Sequence, residues 1–157
     1  MTKRSYIRYA TKDRVSRINP ENKRLYDNYL KARVSRNQET KGSTYKQYAS
    51  SARIFFSFLL EEYDNVYILD EDLIDEFPYV IDNYVYFLQN TLKNNKKRIN
   101  FHLSAISSLF IFCVERRMLT YNPMQNIQRM KGANDEKFLK EHFLTKEQSD
   151  KITIELA

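Results

Sequence analysis

The chain has no tryptophan, one cysteine, two glycines and three prolines in 157 residues. Each shortage excludes something. So few turn-formers cannot serve a sandwich or barrel of many short strands, and the sequence predicts an all-α fold. A single thiol, Cys113, allows no disulfide within the chain, and His102 and His142 have no cysteine partners at zinc-site spacing. A reducing, cytoplasmic setting is expected. The opening MTKRSYIRYATKDR has no apolar stretch of the kind a signal peptide needs. No apolar run approaches the roughly 18 residues of a membrane span, so no membrane partner is expected. Gly42 and Gly132 stand alone, which leaves no glycine-rich phosphate loop. Asp70 and Asp72 form a D-x-D without the glycine of a calcium loop, and read as a solvated face. His102 and Cys113 fall on or near an apolar helical stripe and read as core. No catalytic residue, no metal and no cofactor is expected.

What is present is charge of both signs, kept apart. Residues 61–82 hold nine acidic side chains and no basic one, so with a net charge of +6 the remaining residues carry +15, from +6 minus −9. A basic body with an acidic edge suits a polyanionic partner, although ordinary solubility charge has a similar composition.

Periodicity divides the chain. Residues 1–18 are basic, with Lys3, Arg4, Arg8, Lys12, Arg14 and Arg17 against Asp13 alone, and read as a flexible arm. Asn19-Pro20-Glu21 opens a first helix with Leu25, Tyr29 and Ala32 on its stripe. A second starts near Gly42-Ser43 and carries Tyr45, Tyr48, Ala49, Ala52, Phe55, Phe56, Leu59 and Leu60 at helical spacing. Lys46, Ser50, Arg53 and Ser57 fall on its other side, where small polar residues leave room for a close approach. Residues 61–76 form an acidic connector with a short helical turn around Leu73 and Ile74. Pro78 opens a third helix, striped by Ile81, Tyr84, Val85, Leu88 and Leu92. The fourth, from about Lys96 to Arg117, is striped by Ile99, Leu103, Ile106, Phe110 and Cys113. Its first turn is Lys96-Lys97-Arg98, cations where the helix dipole favours anions, and an anion arriving there would reverse the penalty. Arg116 and Arg117 suit the other end of this helix, and Pro123 prevents its continuation. Residues 19–123 thus read as a four-helix domain. Residues 124–142 read as a charged linker. In 143–157, Thr145 and Gln148 form a capping box that begins a further helix.

Two stretches and their order carry a resemblance. GSTYKQYASSARIFFSFLLEE is similar to a signature helix of the tyrosine recombinases, the phage-type integrases. KKRINFHLSAISSLFIFCVERRMLTYNPMQNIQRMK resembles that family further. Ile99, Leu103, Ser104, Ala105, Ile106, Phe110, Phe112, Leu119, Asn122 and Pro123 occupy its pattern, with Arg117 where a glycine is usual. FLTKEQ looks like the usual opening of the family's catalytic domain, and the resemblance runs from about residue 20 to 157. It implies a core-binding domain, a SAM-like four-helix bundle that clamps one face of a double-stranded DNA recombination site. The second and fourth helices would face the major groove. In the family, full-length proteins cut and join DNA together with other recombinase protomers, in bacteria, phages and mobile elements. The catalytic arginine, lysine, His-x-x-Arg and nucleophilic tyrosine belong to a second domain, and none has a counterpart here.

On this reading Lys41, Ser43, Thr44, Gln47 and Ser51 of the second helix approach DNA. Lys96, Lys97, Arg98, Asn100 and Ser104 of the fourth join them, with Arg129 and Lys131 tracking phosphates. Gln47 and Asn100 are the candidates for base edges, the cations for backbone positioning. A helical module that binds protein rather than DNA, and a stand-alone regulator that competes for a recombinase's sites, remain open alternatives.

Overall fold

The computed structural model describes residues 8–36 and 42–132. Among them are six α-helices and no strand: α1 Lys12–Arg17, α2 Pro20–Arg36, α3 Gly42–Glu62, α4 Glu71–Asp75, α5 Phe77–Asn90 and α6 Lys96–Glu115. The described residues are all-α, as the scarcity of turn-formers predicts, and the turn expected around Leu73 and Ile74 is α4. No helix among the described residues is long and apolar enough to cross a membrane.

The caps follow the local chemistry. Asn19 accepts the Glu21 amide at 2.8 Å ahead of Pro20, Asp70 accepts Leu73 N–H at 3.2 Å, and Asn95 accepts Arg98 N–H at 2.8 Å. Between these caps, α3 and α6 pack closely on one another, with α2 and α5 against them. All five stripe residues of α6 are buried, together with Ala105, Leu109 and Phe112. The core is aromatic without tryptophan. Phe55 and Phe58 of α3 lie 4.8 and 5.0 Å from the Tyr84 ring, and Tyr29 of α2 meets Phe112 edge-on at 5.6 Å. Such pairs add about 1 kcal/mol each to the area they bury.

Three segments depart from expectation. The first is the basic arm, whose residues 9–18 are docked. Thr11 caps α1. Arg14 bonds Glu61 at 2.8 Å and the Tyr9 carbonyl at 3.0 Å, and its guanidinium lies 4.3 Å from the Tyr9 ring. Tyr9 in turn meets Phe87 edge-on at 4.6 Å, and Ile18 is buried. Residues 1–7 lie outside the described residues.

The second is the acidic connector, which two asparagines tie down. Asn65, at φ 58°, accepts Asn19 N–H at 2.9 Å and donates to the Arg17 carbonyl at 2.8 Å. Left-handed backbone is a conformation asparagine tolerates well. Asn22, fully buried, accepts Ile68 N–H at 2.8 Å and donates to the Val66 carbonyl at 3.0 Å. Its amide is satisfied on both sides, so its burial carries no orphan penalty.

The third is the expected linker. At the end of α6, Met118 N–H reaches the Cys113 carbonyl at 2.8 Å and Arg117 N–H the Val114 carbonyl at 3.0 Å, with Arg117 at φ 63°. This is a Schellman ending built on arginine, at the position where the resemblance expects glycine. The chain then turns back along α6 as a strap. Asn122 accepts Met124 N–H at 2.8 Å and donates to Ser107 Oγ at 3.2 Å. Met124 is buried, and Ile127 and Met130 pack against the core. Residues 124–132 are therefore part of the bundle, because three apolar side chains and two asparagines hold them there. The rest of the linker, 133–142, and the helix start at 143–157 lie outside the described residues.

Candidate nucleic-acid interface

The first halves of α3 and α6 come together through aromatic rings. Tyr45 and Tyr48 meet edge-on at 6.2 Å, Tyr48 lies 5.5 Å from Phe101, and the Arg98 guanidinium sits 4.9 Å from the Phe101 ring. These half-buried rings make a floor from which longer polar side chains project. Thr44, Lys46 and Gln47 are exposed on α3, and Lys96, Lys97 and Arg98 on α6. The strap closes the third side. Asn100 accepts Met130 N–H at 2.6 Å and donates to the Met130 carbonyl at 3.2 Å, a two-point bond that sets Arg129 and Lys131 beside α6. Gly132, at φ 93°, passes so near Lys96 that a Cβ there would stand 3.0 Å from Nζ. None of Lys96, Lys97, Arg98, Arg129 or Lys131 forms an ion pair with another described residue.

Several sequence-derived site residues are therefore neighbours: Thr44, Gln47, Lys96, Lys97, Arg98, Ser104, Arg129 and Lys131. Lys41 and the Ser43 side chain lie outside the described residues. Two others are withdrawn from the surface. Ser51 is 1% exposed, and its hydroxyl lies 2.7 Å from Nδ1 of His102, itself 1% exposed. It links α3 to α6 from inside and does not approach a ligand. Asn100 is half-buried and spends one donor and one acceptor of its amide on the strap, so it positions Met130 and the residues beside it. Ser57, assigned by periodicity to the outer side of α3, is fully buried as well.

Sequence reading missed Tyr45, Tyr48 and Phe101 as the aromatic floor, and it missed Arg33. It also missed Ser107 and Ser108, which share a face of α6 with Ser104 at i, i+3 and i+4. That spacing was the available signal.

Burial, with the nearby Arg98 charge adding to it, lowers the His102 pKa to about 4, so the imidazole is neutral at physiological pH. Burial pushes the Cys113 thiol up to about 12, the setting of an inert core cysteine. Among the described residues, no group of three or more His, Cys, Asp or Glu side chains is arranged to hold a metal ion. A comparison with protein-family models, with curated proteins and with solved structures finds no match to this chain.

Proposed function

We propose that this chain binds double-stranded DNA as a core-binding module of the tyrosine recombinase type, holding one face of a recombination site. The observation that carries the reading is the convergence of α3, α6 and the strap on one surface. That surface is rich in cations that form no ion pair with another described residue, has an aromatic floor, and lies away from the acidic stretch 61–82 in sequence. Lys96, Lys97, Arg98 and Lys131 contact phosphates, and Gln47 and Thr44 enter the major groove. Cutting and joining belong to a second domain, for which FLTKEQ is the expected opening, and to assemblies with other protomers. Holding DNA needs no metal or cofactor.

The test is a titration of duplex DNA at two salt concentrations. Changing Lys96 and Lys97 together to Ala should weaken binding on all sequences and lower the salt slope by about 2, one unit per lost phosphate contact. An unchanged affinity and slope would refute the assigned face. A second reading has one observation in its favour. Tyr79 and Tyr86, seven residues apart on α5, are 71% and 68% exposed, as on a helix that meets a protein. A wild-type chain with no DNA binding at low salt would favour that reading.

A further inference from the structure

A bowl of about 440 Å³ opens beside the aromatic floor, lined by Arg33 of α2, Tyr45 of α3, Ser104, Ser107 and Ser108 of α6, and Arg129 of the strap. We propose that it receives one backbone phosphodiester of the bound duplex. This rests on the DNA-binding reading and extends it, because it adds α2 to the elements that contact DNA.

The chemistry of the lining points to a phosphate. Two guanidinium groups offer forked N–H donors that match phosphate oxygens. Arg33 is held in place from three sides. Its guanidinium lies 5.7 Å from the Tyr29 ring and 5.8 Å from the Phe112 ring, and it pairs with Glu115 at 3.3 Å. Glu115 offsets part of its charge, and Arg129 adds a second guanidinium to the lining. Arg129 owes its place to the neighbouring Asn100–Met130 bonds.

The serines are set to donate. Ser107 Oγ already accepts from Asn122 at 3.2 Å, which leaves its own proton for the bowl. Ser108 Oγ lies 2.6 Å from the buried Tyr29 hydroxyl. When Tyr29 donates in that pair, the Ser108 proton also turns outward. Ser104 lies on the same face. Hydroxyl and guanidinium donors from three segments thus converge on one volume, large enough for a phosphate with its flanking sugars.

The experiment uses the full chain and duplexes in which one backbone phosphate at a time is replaced by an uncharged methylphosphonate. Wild type should lose about tenfold in affinity at the position that enters the bowl, the lower end for hydrogen bonds to a charged group. Arg129→Gln should lose about tenfold on unmodified DNA, show a salt slope lower by about 1, and respond much less than wild type to the neutral linkage at that one position. It should keep its sensitivity elsewhere. Ser104→Ala should shrink the response at the same position by a smaller factor. If Arg129→Gln stays as sensitive as wild type at every position, the bowl takes no phosphate, while DNA binding itself stands. If wild type binds no duplex at low salt, the DNA reading falls, and the bowl as a DNA subsite falls with it.

Discussion

Changing Ser51 to Ala separates the interior of this protein from its surface. Both members of the Ser51–His102 pair are 1% exposed and 2.7 Å apart. Alanine removes the hydroxyl and leaves Nδ1 buried without its partner. The net hydrogen bond contributes about 1 kcal/mol, and an orphaned buried acceptor or donor costs about 1–3 kcal/mol more when water cannot reach it. The expected loss is about 2 kcal/mol, since alanine leaves only a small void that the neighbours can partly close. With an unfolding entropy of about 2 cal/mol/K per residue over a body of this size, that is a fall in Tm of about 8 °C. Urea and thermal unfolding at pH 7.5 measure it. Combining Ser51→Ala with His102→Leu removes both polar groups and should recover most of the loss. Duplex affinity, measured well below the Tm of each variant, should stay within about twofold of wild type, because Ser51 touches no ligand. A stability within about 0.5 kcal/mol of wild type, or a double variant no better than the single one, would refute the reasoning. A selective loss of DNA affinity in a stable Ser51→Ala protein would refute it from the other side.

Two further outcomes follow from the same structure. His102 has a folded-state pKa of about 4, below its unfolded value of 6.5. The folded chain therefore refuses a proton that the unfolded chain accepts, and the stability this contributes is present above pH 6.5 and lost as pH falls from there to about 4. The loss should reach about 3 kcal/mol in unfolding titrations, and His102→Leu should flatten the acid limb. Changing Asn100 to Ala removes both bonds to Met130. Since the site is part-buried, about 1 kcal/mol of stability should go. The Met130 amide should exchange faster, and the salt slope of DNA binding should drop by about 1 as Arg129 loses its place. Unchanged exchange at Met130 would count against the strap's anchoring.

Long periodic helices were legible in the sequence. The stripe of α6, from Ile99 to Cys113, is buried residue for residue, because a 3.6-residue period over five turns leaves little freedom of phase. The cap at Asn19 was legible for the same local reason, whereas the Asn95 cap shows only in the structure. What escaped was set by long-range contacts. The six residues of α1 carry too little pattern to announce a helix, and they dock through Arg14 onto Glu61, 47 positions away. The strap looked like a charged linker because its polar residues outnumber Met124, Ile127 and Met130, which anchor it. Ser51 looked like a groove residue because a small polar side chain suits both a close approach to DNA and a buried bond to histidine. Only the partner decides between them, and His102 lies 51 positions away. The candidate surface was half legible. Its cations announced themselves through their excess, whereas the bowl draws on Arg33, which only the pairing of α2 with α6 brings near.

The two-point bond between Asn100 and Met130 also has a mechanical meaning. It joins the strap to the same helix that carries Lys96, Lys97 and Arg98, four positions or fewer upstream of the attachment. A pull on the chain at Gly132 is delivered into the start of α6 and does not run back to the Schellman turn at Arg117. The strap is a lever pinned at its working end. A load on the backbone at Gly132 therefore meets the helix that carries the cationic turn through one amide side chain.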